Sequence, residues 1–380
     1  MKQSLCLLLL FTVLLPGGLR AAEPLRDGAI PIAASSAILM EKETGTVLYE
    51  KNADTRMAPA SVTKIMTMLL IAEDLEAGKI TPDDIVTASA RAASFGGSCV
   101  FLEEGERMSV HEMLKCIAVV SANDCAVAMA EHLSGTEDLF VERMNRRAEE
   151  LGMTNTHFTN CTGLFDDREH YTTARDIAIM SRELIRHDFI RDYTTIWMDS
   201  IRDGTFDLAN TNKLVYWYDG CTGLKTGFTS KAMYCLSATA ERDGVEFIAV
   251  IMHGDTAESR NADATTLLNY AFANFSLCAL RPDSPLPELP VEMGQQGSLR
   301  LRYGGEAYAL APKGGAAAEY SLSLPELLAA PVTDGQQVGL LTVRQGGEIV
   351  AEIPVLADQT VPRIGFWGIF WKLAGSLAGL

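Results

Sequence analysis

The chain has 380 residues, of which 48% are hydrophobic and 21% charged, as in a folded protein with room for two domains. Its net charge of −17 argues against binding to nucleic acid without sequence preference, because such binding needs a basic surface. No nucleic acid partner is therefore expected.

The first 22 residues resemble a secretory signal peptide. Lys2 precedes an apolar run that is too short to span a membrane and ends in small residues. The pattern predicts cleavage near Ala21 or Ala22 and a mature protein that acts outside the cytoplasm. A retained N-terminal anchor is the alternative.

The cysteines show no metal or scaffold pattern. Cys6 leaves with the signal peptide, and the remaining cysteines are scattered without a Cys-x-x-Cys pair. Cys116, Cys125 and Cys235 lie in apolar stretches, which favours buried thiols. One or two disulfides remain open in an exported protein.

Residues 30–280 read as a first domain with strands at both ends and helices between them. Ser36–Asn52 predicts a hairpin, and Ser61 opens an apolar helical pattern that ends at Gly78. The pattern predicts two further helices with a break between them around Ser121, and strand patterns return near Lys225. This order predicts an α+β fold, an antiparallel sheet flanked by helices with a helical subdomain.

Two more segments follow a proline-rich boundary at Arg281. Short alternating segments and a Gly346-Gly347 turn predict a small all-β domain over residues 282–360, which contains neither Cys nor His. In residues 361–380, apolar and tryptophan side chains recur at helical spacing opposite a thin small or polar stripe. This amphipathic helix suits the membrane interface; docking on the protein's own surface is the alternative.

Ser61 has a lysine, Lys64, three residues further on. The spacing places both side chains on one helix face, where a lysine of lowered pKa is able to take the serine proton. A serine before a helix is more often only an N-cap, and about one Ser-x-x-Lys match is expected by chance in a chain of this size.

Two further motifs favour catalysis over the N-cap interpretation. Ser121-Ala122-Asn123 lies where one helix breaks before the next, and Lys225-Thr226-Gly227 lies in a predicted strand. The three motifs occur in the order of the active-site serine enzymes that react with penicillin.

At these residues the chain resembles the low-molecular-mass penicillin-binding proteins, D-alanyl-D-alanine carboxypeptidases with a C-terminal β domain. The resemblance extends from about Ile38 to the C-terminus and includes "SANDCAVAMAEHLSG" and "TGLFDDREHYTTARDIA". It implies a β-lactamase-like peptidase domain followed by the β domain and the C-terminal helix.

The resemblance also implies roles for the first two motifs. Ser61 corresponds to the acylated nucleophile and Lys64 to its general base. Ser121 corresponds to the hydroxyl that relays a proton to the leaving amine, and Asn123 to the amide that holds the substrate backbone.

The third motif corresponds to the substrate-binding strand. Lys225 and Thr226 match the pair that receives the terminal carboxylate, and Gly227 permits close approach of substrate. The N–H groups of Ser61 and Phe228 are expected to form the oxyanion hole. Met233 departs from the family, which usually has glycine at that position.

The implied reaction removes the terminal D-alanine from the peptidoglycan stem pentapeptide through a Ser61 acyl-enzyme, without a metal or an organic cofactor. β-Lactam antibiotics are the expected covalent inhibitors, and the C-terminal helix is expected to hold the enzyme at the extracytoplasmic face of the membrane.

Two alternatives remain. A class A β-lactamase shares the motifs, but no Glu-x-x-x-Asn, which that class uses for deacylation, occurs between Asn123 and Lys225. A non-catalytic wall-binding protein would be free to lose Ser61 or Lys64, and both are present.

Overall fold

The structure, a computed structural model, describes residues 24–165, 168–305 and 308–370. The predicted signal peptide and the last ten residues of the predicted C-terminal helix lie outside these ranges. The chain divides into two compact units, one that ends at Ser276 and one that begins at Leu277.

The first unit is built on a six-stranded sheet of order β1-β3-β2-β10-β9-β8. Its strands are β1 (Leu25–Arg26), β2 (Ser36–Glu41), β3 (Val47–Lys51), β8 (Cys221–Thr229), β9 (Met233–Arg242) and β10 (Val245–Gly254). The β2–β3 pairing confirms the predicted hairpin, and all neighbouring strands are antiparallel except β1 and β3. Strand β1 lies before the predicted domain start at residue 30.

Four short strands form two separate ribbons, and nine helices complete the described part of this unit. The ribbons pair β4 (Ile85–Thr87) with β5 (Arg107–Ser109), and β6 (Met198–Ile201) with β7 (Phe206–Ala209). The helices are α1 (Lys64–Glu76), α2 (Ala90–Ala93), α3 (Val110–Val119), α4 (Asn123–Ser134), α5 (Glu137–Glu150), α6 (Ala174–Leu184), α7 (Arg191–Thr194), α8 (Leu214–Trp217) and α9 (Ala257–Asn274).

Helix α1 is the centre of the helical layer. Most of its residues are buried, and it packs against α3, α4, α5 and α6, as expected of a helix that is apolar on almost every side. Helices α6 and α9 pack on the sheet. This arrangement places the N-terminal end of α1 beside strand β8.

The start of α1 differs from the prediction. Residues Ala60–Thr63 form a 3-10 turn, α1 begins only at Lys64, and the side chain at neither N-cap position makes a capping hydrogen bond. Ser61 is therefore not an N-cap. The predicted break between two helices is confirmed, since α3 ends at Val119 and α4 begins at Asn123.

The second unit is all-β in its described strands. A four-stranded sheet has the order β14-β19-β18-β16, a three-stranded sheet β13-β12-β17, and β11 pairs with β15. The bounds are β11 (Phe275–Ala279), β12 (Leu289–Glu292), β13 (Ser298–Leu299), β14 (Leu301–Tyr303), β15 (Tyr308–Pro312), β16 (Ala318–Ser323), β17 (Leu328–Ala329), β18 (Gln337–Gln345) and β19 (Glu348–Ala357).

Two sequence predictions for this unit agree with the structure. Gly346 and Gly347 both have positive φ and connect β18 to β19, as a two-residue hairpin turn requires. Residues 366–370 are helical and expose Phe366 and Trp367. Among the described residues, no helix is both long enough and apolar enough to cross a membrane.

The described cysteines are free thiols. Cys116, Cys125 and Cys235 are buried, as predicted. No disulfide joins any pair in the described ranges, which leaves the disulfides considered from the sequence without support.

Candidate active site

Ser61 and Lys64 are in hydrogen-bond contact where the 3-10 turn meets α1. Lys64 Nζ lies 3.1 Å from Ser61 Oγ, 2.6 Å from Asn123 Oδ1 and 2.8 Å from the carbonyl oxygen of Thr162. A neutral amine has two N–H donors and one lone pair. The two acceptors use both donors and leave the lone pair for the Ser61 hydroxyl proton.

Burial favours this neutral form of Lys64. The side chain is 0% exposed, and desolvation lowers the pKa of Lys64 from 10.5 to about 7. The pKa falls by less than burial alone would cause, since the charge of Asp124 and the nearby thiols of Cys161 and Cys99 oppose the shift. Near neutral pH a large share of Lys64 is therefore free to act as a base.

Ser121 presents a buried hydroxyl to the same space. It lies in the break between α3 and α4 with a φ of 64°, a conformation that few L residues adopt. Its Oγ is buried and has no hydrogen-bond partner among the described residues. A buried unpaired hydroxyl is costly unless a ligand completes it, so this atom is available to a bound substrate.

Asn123 contacts the lysine and a neighbouring loop. Its Oδ1 accepts from Lys64, and its Nδ2 donates to the carbonyl oxygen of Gly96 at 2.7 Å. Both polar groups of the amide thus have protein partners in this structure. The contact with substrate backbone implied by the family resemblance stays a prediction, whereas the contact that orients Lys64 is observed.

Gly227 lies where the edge strand β8 meets the 3-10 turn Ala60–Thr63, which contains Ser61. A Cβ at this position would lie 2.9 Å from the Pro59 carbonyl oxygen and 3.0 Å from the backbone nitrogen of Ser61. Only glycine permits this approach. The close contact is made with the protein's own turn, whereas the sequence prediction assigned it to substrate.

The neighbours of Gly227 on β8 differ in exposure. Thr226 Oγ1 donates to Thr211 Oγ1 at 2.7 Å, and Lys225 Nζ donates to the Thr226 carbonyl oxygen at 2.9 Å. Burial, followed by the charges of Lys64 and Arg260, holds the pKa of Lys225 well below its usual range. Phe228 is exposed, with its ring centroid 4.4 Å from that of Tyr234.

Arg260 is a site residue that the sequence prediction missed. It lies on α9, is almost completely buried, and donates to Asn261 Oδ1 and to the Cys235 carbonyl oxygen. Among the described residues no carboxylate pairs with its guanidinium. Its one sequence signal is an arginine at a position that the helical pattern buries. It has no motif spacing, because two strands, β9 and β10, separate α9 from the motif strand β8.

All three motifs contribute to one cavity of about 690 Å³. Ser61, Ser121 and Thr226 line it together with Phe228 and Arg260. The half-buried Ser61 is accessible from this cavity, and the buried guanidinium of Arg260 places a positive charge on one side of the site. The arrangement suits acyl transfer to a serine from a substrate with a carboxylate.

Comparison with known proteins supports the same kind of chemistry. Residues 21–256 match the model of the D-alanyl-D-alanine carboxypeptidase family, and residues 282–363 match that of the penicillin-binding protein 5 C-terminal domain. The chain belongs to the D-alanyl-D-alanine carboxypeptidase family. Members of this family are serine-type hydrolases, and the two matches follow the predicted order of a peptidase domain and a β domain.

Individual relatives cover between 63% and 96% of this chain. D-alanyl-D-alanine carboxypeptidase DacF of Bacillus subtilis is 41% identical over 96% of both chains. The crystal structure of penicillin binding protein 5 from Haemophilus influenzae superposes with a TM-score of 0.73 at 31% identity, covering 88% of this chain and 98% of that one. Penicillin-binding protein D2 of Listeria monocytogenes, solved with ampicillin bound, has a TM-score of 0.58 at 31% identity, covering 63% and 98%.

Met233 has an observed structural consequence. It begins β9 opposite Thr229 with a φ of 55°, in the left-handed region that favours glycine. The glycine expected here from the family resemblance would match this backbone, and methionine adopts the same conformation at a cost. The effect of Met233 is conformational strain at the β8–β9 turn.

Proposed function

We propose that this protein is a serine-type D-alanyl-D-alanine carboxypeptidase that removes the terminal D-alanine from peptidoglycan stem pentapeptides. The observation that carries the proposal is the Lys64–Ser61 contact of 3.1 Å, in which a buried amine of lowered pKa meets a hydroxyl that faces the cavity.

Acylation begins with attack by Ser61 Oγ on the carbonyl carbon between the last two D-alanines. Lys64 Nζ takes the hydroxyl proton as the C–O bond forms. The N–H groups of Ser61 and Phe228 stabilise the oxyanion. The proton reaches the leaving amine through Ser121 Oγ, the C–N bond breaks, and D-alanine departs.

Deacylation consumes one water molecule. Water attacks the ester carbonyl carbon, its proton passes to Lys64 Nζ, and the proton returns to Ser61 Oγ as the ester bond breaks. The products are the shortened peptide and the free enzyme. Lys64, which contacts the Ser61 hydroxyl, is the base in both steps of this scheme.

The terminal carboxylate is the part of the substrate that the cations recognise. Arg260 and Thr226 line the cavity, and Lys225 lies buried behind Thr226. We assign the carboxylate to the guanidinium and the Thr226 hydroxyl; the charge of the bound carboxylate then favours the protonated form of Lys225. A free carboxylate next to the scissile bond defines the substrate as a peptide C-terminus.

The central experiment compares Ser61→Ala with Ser323→Ala, a matched loss of a hydroxyl from an exposed residue of the second unit. Each variant is incubated with fluorescent penicillin and with a pentapeptide that ends in D-Ala-D-Ala. The wild type and Ser323→Ala should be labelled and release D-alanine, and Ser61→Ala should do neither. Labelling of Ser61→Ala would place the nucleophile elsewhere.

The same experiment separates a peptidase from a β-lactamase. A peptidase deacylates penicillin slowly, so the lifetime of its penicilloyl label should exceed the time for one turnover of the peptide many times over. Rapid hydrolysis of penicillin without release of D-alanine would overturn the proposed reaction in favour of the lactamase.

We further propose export by the N-terminal signal peptide and attachment to the membrane surface by the C-terminal helix. Phe366 and Trp367 are exposed, which supports an apolar face directed to lipid. Removal of residues 366–380 should release an active enzyme from the membrane fraction. This truncation keeps Arg363 and Ile364, whose backbones pair with Gly294 and Met293 in the same unit. Continued sedimentation with membranes would contradict the anchor.

A further inference from the structure

The residue before the nucleophile has an unusual backbone. Ala60 has a φ of 49°, a left-handed conformation that an L side chain rarely adopts. Such a residue persists only where its surroundings hold it in place, and these residues cluster at functional sites. The question is therefore what holds Ala60, and for what purpose.

The carbonyl group of Ala60 is in close contact with two other residues, Thr63 and Gly163. Its oxygen accepts a hydrogen bond from Thr63 Oγ1 at 2.8 Å. Gly163 lies against both groups: an added Cβ there would come within 1.8 Å of the same oxygen and 2.6 Å of Thr63 Oγ1, so no larger residue fits. The direction of this carbonyl thus depends on the Thr63 hydroxyl and on the absence of a side chain at residue 163.

His170 determines the direction of the Thr63 hydroxyl. The ring is buried, and its Nδ1 accepts the backbone N–H of Thr159 at 3.0 Å. A neutral ring whose Nδ1 is an acceptor carries its proton on Nε2. Nε2 lies 2.8 Å from Thr63 Oγ1, so the ring donates to Thr63, and the threonine proton is left for the Ala60 carbonyl.

The Ala60 carbonyl in turn sets the direction of the Ser61 N–H. In a trans peptide the C=O of one residue and the N–H of the next are coplanar and point in opposite directions. Ser61 is at the start of a 3-10 turn, where an N–H has no acceptor within the turn. Its nitrogen lies 3.0 Å from the Cβ position of Gly227, toward the edge of β8 that faces the cavity.

We propose that the hydrogen-bond chain from His170 through Thr63 to the Ala60 carbonyl aims the Ser61 N–H into the oxyanion hole, which makes Thr63 and His170 positioning residues for acyl transfer. The inference rests on the proposed reaction at Ser61. It predicts that loss of the chain weakens transition-state binding and leaves ground-state binding of the peptide unchanged.

Two pairs of variants test the hydrogen-bond chain, one pair at Thr63 and one at His170. Thr63→Val removes the hydroxyl at constant shape, and Thr63→Ser keeps it. His170→Asn places an amide near the Nδ1 position and leaves Thr63 without a donor, whereas the longer His170→Gln is able to return an N–H near the Nε2 position.

The measurements are the acylation rate with penicillin, the KM for the pentapeptide, and the affinity for a peptide analogue with boronic acid in place of the scissile carbonyl. The boronate forms a tetrahedral adduct with the serine and places an oxygen in the hole. We expect Thr63→Val and His170→Asn to lower the acylation rate and boronate affinity together by about tenfold or more, with KM unchanged. Thr63→Ser and His170→Gln should recover most of the loss.

A matched control removes a similar hydrogen bond in another part of the unit. Tyr193 is mostly buried and its hydroxyl lies 2.9 Å from His111 Nδ1. Tyr193→Phe should lower the thermal midpoint and leave the boronate affinity unchanged. The thermal midpoints of all variants are measured, and the kinetics are compared at a temperature where each one is folded.

Three results would overturn the inference. The first is unchanged boronate affinity in folded Thr63→Val and His170→Asn. The second is an equal loss in Thr63→Ser and Thr63→Val, which would assign the effect to methyl packing. The third is a loss of affinity in His170→Gln as large as in His170→Asn. If Thr63→Val does not fold, the His170 pair decides.

Failure of the proposed function gives a different pattern. In that case wild-type protein carries no penicillin label at Ser61, and no variant is compared. Labelled wild type with unaffected positioning variants refutes only the chain from His170 to Ala60.

Discussion

The two units of the chain bury different kinds of side chain. The first unit buries Lys64, Lys225 and Arg260 and many uncharged polar groups around them. In the described part of the second unit, every buried side chain is apolar, from Leu280 to Val361. Since burying an unpaired charge is costly, the difference marks the unit in which folding free energy is given up for chemistry.

The charges of the second unit are in contact with solvent. Arg302 lies 3.3 Å from Asp334 and 3.5 Å from Asp358, and all three side chains are exposed. Exposed ion pairs of this kind contribute little to stability. In the first unit, burial lowers the pKa of Lys64 to about 7. The candidate reactive groups thus lie in the first unit, so that reactivity and the stability of the second unit are open to separate tests.

The largest effect is expected from Lys64→Met, which keeps the length of the side chain and removes the base. Acylation by penicillin should fall by about 10³-fold or more. The protein should stay folded, because loss of the amine removes its desolvation cost and so offsets the lost contacts with Asn123 and Thr162. Stopped-flow acylation and thermal unfolding measure the two effects; acylation at the wild-type rate would exclude Lys64 as the base.

The reverse pattern is expected from Leu341→Ala in the core of the second unit. Leu341 is buried there, so the cavity should lower the free energy of unfolding of that unit by about 2–5 kcal/mol. The acylation rate should not change, since no site residue lies in this unit. Denaturant unfolding of the full chain, followed alongside penicillin labelling, checks both. A parallel loss of acylation would show that the two units are energetically coupled.

A smaller effect on turnover is expected from Arg260→Gln. Loss of the guanidinium should lower kcat/KM for the pentapeptide by about 10–100-fold, because the carboxylate loses a charge-assisted hydrogen bond. Arg302→Gln, the same change at an exposed position of the second unit, is the control and should leave kcat/KM unchanged. A pentapeptide amide should be insensitive to Arg260→Gln; equal losses with the acid and the amide would contradict the carboxylate assignment.

The buried lysine should also leave a signature in the pH dependence of stability. The pKa of Lys64 is about 7 in the folded state and 10.5 in the reference state. Between these values the unfolded chain binds more protons, so the contribution of Lys64 makes the free energy of unfolding rise with pH from about 7 to about 10.5. Denaturant titrations of wild type and Lys64→Met across this range isolate the contribution. A stability difference that falls or stays level with pH would contradict the lowered pKa.

The smallest effect is expected from Met233→Gly. Glycine relieves the left-handed strain at a φ of 55°, and the gain is partly offset by the greater entropy of glycine in the unfolded chain. The free energy of unfolding should rise by less than about 1 kcal/mol, with acylation unchanged. Gly305→Ala, which forces a side chain into the same region at an exposed turn of the second unit, should have the opposite sign. A destabilised Met233→Gly would mean that packing of the side chain outweighs the strain.

Local patterns predicted most of the fold. The β2–β3 hairpin, the break at Ser121 and the Gly346-Gly347 turn all depend on residues close together in sequence, and all are present. The N-cap interpretation of Ser61 failed because the turn before α1 is held by residues far along the chain, including Gly163. The parallel strand β1 was missed because a strand of two residues is too short to show an alternating pattern of apolar and polar residues.

The catalytic motifs were identifiable for the same reason. Ser61 and Lys64 are one helical turn apart, and such a spacing is visible in any sequence. Arg260 has no such relation to the residues it faces. It enters the site because α9 packs on β9 and β10, and no local pattern encodes that packing.

The sequence by itself therefore determined which side chains are available for acyl transfer and which segments form strands, turns and helices. Tertiary structure decided the environment of those side chains. It buries Lys64 away from water, brings Gly227 into close contact with the turn that contains Ser61, and places His170 within hydrogen-bond distance of Thr63. The physical reason is that spacing is a property of neighbouring residues, whereas desolvation and the aim of a hydrogen bond arise only when distant segments pack together.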